Sequence, residues 1–157
     1  MIAHWHNVLA DVSVRARLED ELTSILTPTT TAFLPPAMQV GADGGDIAAW
    51  LDARASESDV CTVRLADGTL VGLLILHVAE DVIRIGYLFG EAHWGQGYAT
   101  ELLTGFADWC ATSQPGCQLI GGVEPGNKAS VRVLQKAGFK LDANASADHV
   151  HFYTRTI

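Results

Sequence analysis

Between residues 82 and 113 the chain changes its period, and that change limits what it can fold into. "VIRIGYLF" (82–89) is strand-like, and "GEAHWGQG" (90–97) then packs three glycines into eight residues. "YATELLTGFADWC" (98–110) puts Ala99, Leu102, Leu103, Phe106 and Cys110 on one helical stripe. "QPG" stops this helix, and the apolar "CQLIGGV" (117–123) comes next. A strand reached through a helix lies parallel to the strand before it, so the centre of the fold is a β-α-β crossover.

The upstream segments differ. "VCTVRL" (60–65), "LVGLLILHV" (70–78) and residues 82–89 are strand-sized runs joined by "ADGT" and "AED". Asp-Gly is a strong hairpin signal, so the three strands are expected to form an antiparallel meander. Before them, residues 12–26 read as a helix with Val14, Leu18, Leu22, Ile25 and Leu26 on one stripe. "TPTTTAFLPP" (27–36) reads as a breaker-rich loop. A second helix is expected over 46–55, with Asp46 as N-cap and Ile47, Trp50 and Leu51 facing inward. After "EPGN", a short helix over 128–137 ends at Gly138, a natural residue for that position, and strands near 139–141 and 149–156 close the chain. The expected class is α+β, a mostly antiparallel sheet with one crossover, in a single domain over 1–157.

At 157 residues and 48% hydrophobic, the chain can bury a core, and 18% charged residues argue against disorder. No apolar run reaches the roughly 18–20 residues of a membrane-spanning helix. "MIAHWHN" lacks a basic start and apolar centre, so a cytoplasmic location is expected. Cys61, Cys110 and Cys117 are odd in number and lack CxxC spacing, which reads as three small hydrophobes. The pairs His4/His6 and His149/His151 would each share a strand face, without a recognised metal spacing, so no metal is expected. A net charge of −8 argues against nucleic acid as a partner. Residues 1–59 carry nine acids and three bases, and so most of that charge.

The glycine loop admits three anion-binding designs. A P-loop needs Gly-Lys, which is absent. A dinucleotide fingerprint needs a third glycine where Thr100 or its neighbours stand, and a series of βα repeats that an antiparallel meander does not open, although Glu124 lies where a ribose-binding acid would. The third design is carried by two motifs. Trp94-Gly95-Gln96-Gly97-Tyr98-Ala99 resembles the Q/R-x-x-G-x-G/A signature of the GNAT superfamily of N-acetyltransferases, matching at Gly97 and Ala99 with Trp94 where Gln or Arg is usual. "WGQGYATE" and "EPGNKASVRVLQKAGF" (124–139), with Asn127, Ser130, Val133, Lys136, Gly138 and Phe139 in register, are similar to the branch of ribosomal-protein N-terminal acetyltransferases. The resemblance covers residues 60–156 well and 1–59 weakly.

The resemblance implies acetyl-CoA as co-substrate and an enzyme that moves its acetyl group to a primary amine. Backbone N–H groups from Gly95 through Gln96, Gly97, Tyr98 and Ala99 to Thr100 would hold the pyrophosphate at a helix start, where glycines admit close approach and the helix dipole adds attraction. It also implies that the strands flanking this helix splay apart. The pantetheine arm would then bond the backbone near Leu88, Phe89 and Gly90, where an N–H polarises the thioester carbonyl. Tyr87 and Phe89 would line the acceptor side or serve as core aromatics. Asn127 would cap the helix over 128–137 and contact the cofactor, and Ser130 would bond the departing sulfur. Lys128, Arg132 and Lys136 form a basic stripe that is either a solvated face or a neighbour of the 3′-phosphate.

Relatives of the peptide N-terminal type carry a Glu five residues before the Asn and a Tyr seven after it; here these positions are Gly122 and Leu134. Candidates for the base are then Glu124, His149, Asp148, Glu91 and Tyr153, with Glu124 preferred, and the acid role falls to Ser130 or Tyr153. In the family the N-terminal helices wall the acceptor, so their acidity suggests a cationic amine: a protein N-terminus, a polyamine or an aminoglycoside-like base. The departures also leave open a non-catalytic acyl-CoA sensor or interaction module, and a homodimer is admitted.

Overall fold

A computed structural model of the chain describes residues 2–4, 9–41, 45–147 and 149–157. His6 and Asp148 lie outside the described residues. Strands hydrogen-bond in the order β1-β2-β3-β4-β5-β7-β6. They are β1 (Ile2–His4), β2 (Asp59–Arg64), β3 (Leu70–Ala79), β4 (Val82–Phe89), β5 (Gln118–Val123), β6 (Lys140–Ala147) and β7 (Val150–Thr156). The helices are α1 (Val12–Ile25), α2 (Pro28–Thr31), α3 (Ile47–Glu57), α4 (Tyr98–Ser113) and α5 (Lys128–Lys136). The chain divides into two compact units, Met1–Leu76 with Tyr87–Trp94, and His77–Gly86 with Gly95–Ile157.

In the first unit, β1 extends the expected meander at its edge, pairing antiparallel with β2 from Ile2↔Val63 to His4↔Cys61. β2 pairs antiparallel with β3 from Asp59↔Leu76 to Arg64↔Leu70. The turn between them closes where Gly68 N–H bonds Leu65 O at 3.1 Å, with Gly68 at φ 93. Its core gathers Leu18, Leu22 and Ile25 of α1 and the following Leu26 with Trp50 and Leu51 of α3 and Val60, Leu73, Ile75 and Leu88 of the strands. The "TPTTTAFLPP" stretch, expected as a loop, holds α2 and then a 3-10 turn at Pro36–Met38. A proline that breaks a helix interior is favoured at its first position, which is where Pro28 stands. Side chains of α3 fasten the 3-10 turn. Arg54, 2% exposed, donates from Nη1 to Ala37 O at 3.0 Å and from Nη2 to Glu57 at 2.8 Å, while Trp50 Nε1 donates to Met38 O at 2.9 Å.

In the second unit, β4 and β5 run parallel from Val82↔Gln118 to Ile85↔Gly121. β5 pairs antiparallel with β7 from Gln118↔Thr156 to Val123↔His151, and β7 pairs antiparallel with β6. The parallel pair is the crossover expected from the change of period, and α4 makes the connection. Leu102, Leu103, Phe106, Ala107 and Cys110 of α4 are buried, as are Leu119, Val123 and Leu134. Helix α5 ends in a Schellman motif: Gly138 N–H bonds Gln135 O at 3.1 Å and Phe139 N–H bonds Leu134 O at 3.0 Å, with Gly138 at φ 83. The strand expected near 139–141 runs instead over Lys140–Ala147, with an irregularity between Asp142 and Ala147.

Candidate active site

Within the first unit, the end of β4 is tightly held. Gly90 N–H donates to Val71 O at 3.0 Å, and a Cβ at Gly90 would lie 2.8 Å from Ile25 Cγ2. Leu88 and Phe89 are buried and Tyr87 is half-buried. A 3-10 turn, Glu91–His93, comes next. Trp94 Nε1 donates to Phe89 O at 2.7 Å, so the indole folds back on the strand end with half its surface open. The resemblance places Trp94 among the cofactor-binding residues; in the structure its indole N–H braces the end of β4 and its open half remains accessible.

Within the second unit, the start of α4 differs from every other described α-helix start. Asp11, Thr27, Asp46 and Asn127 cap α1, α2, α3 and α5 with side-chain oxygens. Helix α4 begins on Gly97, left-handed at φ 87, with no side-chain cap bond. Gly95 is also left-handed, at φ 74, and nothing lies within 4 Å of a Cβ built on either glycine. The first helical amide to reach a backbone carbonyl is that of Glu101, on Gly97 O at 3.0 Å. The amides of Ala99 and Thr100 meet no acceptor among the described residues. A sixteen-residue helix thus offers its positive end and uncapped N–H groups to the outside. That arrangement binds an anion such as a pyrophosphate.

The turn after β5 collects most of the remaining candidates. Asn127 N–H bonds Glu124 O at 2.9 Å, and Asn127 Oδ1 accepts Ser130 N–H at 3.0 Å, so the expected cap is formed and the three residues share one turn. The Glu124 side chain is exposed, and Asn127 and Ser130 are half-buried. Tyr153 is 4% exposed on β7, opposite Gly121, and so stands on the neighbouring strand. Gly121 is close-packed: a Cβ there would meet Leu134 Cδ2 at 2.9 Å. Leu134, where relatives carry a Tyr, is core at 1% exposure. Gly122, where they carry a Glu, is exposed and lies beside its cross-strand partner Phe152, whose Cε1 is 3.2 Å from a built Cβ. Lys128, Arg132 and Lys136 are all exposed on α5 and form no ion pair among the described residues.

Among the described residues no group of three His, Cys, Asp or Glu could hold a metal. All three cysteines are free and buried. Burial pushes the Cys61 and Cys110 thiols up to about 11, the nearby Asp59 adding to the first and Cys117 to the second. Thiolate is the reactive form, so iodoacetamide at pH 7 is expected to leave the folded protein unlabelled and to label all three cysteines in urea; mass spectrometry decides. No helix of the described residues is long and apolar enough to cross a membrane.

Residues 14–140 match the model of the acetyltransferase (GNAT) domain family. Over 78 residues the chain is 36% identical to "Probable N-acetyltransferase YjcK" of Bacillus subtilis, covering 50% of this chain and 43% of that protein. The chain spans only 34% to 43% of the first curated relatives it matches. Its fold is similar to the GNAT domain of S. lividans PAT, with TM-score 0.70, 15% identity and coverage of 99% and 89% of the two chains. It is also similar to a GNAT superfamily phosphinothricin acetyltransferase from Sinorhizobium meliloti solved with AcCoA, with TM-score 0.62, 13% identity and coverage of 88% and 84%. A match spanning residues 14–140, together with the glycine-led α4 and the crossover it makes, establishes that the chain belongs to the GNAT acetyltransferase family.

Proposed function

We propose that the chain transfers the acetyl group of acetyl-CoA directly to a primary amine on a cationic acceptor, and that residues 1–157 form one domain for this task. The observation that carries the reading is the uncapped, glycine-led start of α4 in a chain of this family. Acetyl-CoA supplies an acetyl group activated as a thioester. The amides from Gly95 to Thr100 bind its pyrophosphate, with Gln96 and Tyr98 in the same segment. The backbone at Leu88, Phe89 and Gly90 bonds the pantetheine arm, with Trp94 bracing that strand end. Asn127 orders the start of α5, and Ser130 donates to the departing sulfur. Glu124 is exposed and so takes the ammonium proton through water, while Tyr153 is the second candidate for the acid. Much of the rate would come from holding amine and thioester together.

The finer branch rests on "WGQGYATE" and the 124–139 motif, which support a protein N-terminus as one acceptor. Family membership favours this enzyme over a silent acyl-CoA sensor. Thermal unfolding with acetyl-CoA, dephospho-CoA and desulfo-CoA tests the binding. Acetyl-CoA at a hundred times its Kd is expected to stabilise the protein by about 2.7 kcal/mol. No shift at millimolar ligand would overturn the reading. A thiol-release screen of peptide N-termini, polyamines and aminoglycosides then identifies the acceptor; a protein that binds acetyl-CoA but releases thiol to none of them would be the sensor.

A further inference from the structure

Most acidic residues in the N-terminal stretch are already committed. Glu19 and Asp52 both take Arg15, each at 2.8 Å; Glu21 takes Arg64 at 2.6 Å, and Glu57 takes Arg54 at 2.8 Å. Asp11 and Asp46 cap helices. The stretch keeps a net negative charge, but six of its nine carboxylates are already engaged in ion pairs or caps, so direct recognition of a cationic amine needs a carboxylate placed for it.

Glu91 is held differently. It opens the turn directly after Gly90, is exposed, and forms no ion pair among the described residues. Thr27 Oγ1, 64 positions earlier, lies 3.0 Å from Glu91 Oε1. An ionised carboxylate can only accept, so the hydroxyl proton belongs to this bond. Thr27 is fixed in turn: its N–H donates to Thr30 Oγ1 at 2.9 Å, and its Oγ1 accepts Thr30 N–H at 3.2 Å. One carboxylate oxygen is thus tied to the α1–α2 junction, while Oε2 meets no donor among the described residues. Gly90 beside it packs closely on α1, with Ile25 Cγ2 2.8 Å from a built Cβ, and so seats the turn that carries Glu91.

We propose that Glu91, oriented by Thr27, is the carboxylate that receives the ammonium group of the acceptor amine. The inference rests on the reading that the thioester lies at the end of β4. An ammonium brings three donors and a full charge, so its bond to Oε2 is charge-assisted, whereas a neutral or anionic acceptor gains nothing there. The site therefore selects primary ammonium groups on flexible chains, a polyamine or a peptide N-terminus.

The test uses spermidine, a serine-ended peptide and kanamycin, with thiol release measured at saturating acetyl-CoA. For the best of these amines, Glu91→Gln is expected to raise KM about tenfold or more with kcat within about threefold, as loss of a uniform binding contact requires. Calorimetric affinity for spermidine is expected to fall by a similar factor, and stabilisation by acetyl-CoA is expected to stay unchanged. Thr27→Val is expected to move KM in the same direction by less, and Thr27→Ser, which keeps the hydroxyl, to restore it. Unchanged KM and spermidine affinity in Glu91→Gln, with the parent protein active, would overturn this inference alone. Lost acetyl-CoA stabilisation in Glu91→Gln would also overturn it, by placing the residue on the cofactor side. Absent acetyl-CoA stabilisation in the parent protein overturns the acetyltransferase reading first, and this inference with it. An acetyl-CoA-binding parent that acetylates none of the three amines overturns both.

Discussion

Ala99→Glu is expected to abolish stabilisation by acetyl-CoA while moving the melting temperature of the free protein by no more than about 2 °C. Position 99 is in the first turn of α4, within regular helix, so the substitution avoids the left-handed strain that any side chain would meet at Gly97. A carboxylate near a helix N-terminus is mildly stabilising or neutral, by a few tenths of a kcal/mol. The same carboxylate puts negative charge among the amides proposed to hold the pyrophosphate, and there it repels the ligand. Ala99→Gln has the same size without the charge and is expected to retain part of the shift. Differential scanning fluorimetry across acetyl-CoA concentration separates the two effects. A Glu variant with the parental shift would show that the phosphates bind elsewhere.

Gly72→Ala is expected to destabilise the fold by about 2–3 kcal/mol, a fall of about 5–10 °C in melting temperature. The glycine sits within β3, where a Cβ would lie 2.5 Å from Leu88 O and 2.8 Å from Phe89 Cδ1. The first of these is backbone, so no rotamer change relieves it, and β4 has to move where its last residues lead to Gly90. Gly105→Ala is the control. In α4 a Cβ at 105 meets nothing within 4 Å, and alanine is the better helix former, so a gain of about 0.5–1 kcal/mol is expected. Urea unfolding of both variants gives opposite signs if close approach, and not glycine loss as such, sets the result. A Gly72→Ala protein of parental stability would mean that β3 and β4 are less closely packed than described.

The β-α-β centre was legible because its periods are long and unambiguous. The stripe from Ala99 to Cys110 implies the helix that the structure shows as α4, and Asp46, Asn127 and Gly138 are the terminus signals that the structure shows at work. Short elements were hidden. The three residues of β1 carry too little pattern to announce a strand, and Pro28 is both a breaker and a good first helical residue. "DANASA" in β6 has low strand propensity, and its course depends on side chains: Asp142 Oδ1 accepts the Asn144 and Ala145 amides, and Ser146 Oγ accepts Phe152 N–H at 2.9 Å. For the candidate site, the glycines could be read locally, since positive φ is a local demand. The Thr27–Glu91 bond spans 64 positions and leaves no trace in any window of the sequence, and the brace from Trp94 to Phe89 O looks in the sequence like a loop aromatic.

The contact between Phe152 and the bare face of Gly122 limits what can be grafted at position 122. Relatives of the peptide N-terminal type place a glutamate where this chain has Gly122, and here that space is flanked by an aromatic ring 3.2 Å from a built Cβ. A side chain placed at 122 alone therefore requires the Phe152 ring to give by a few tenths of an ångström. A carboxylate could be seated at 122 more easily if position 152 were made smaller at the same time, so the two positions are coupled by packing.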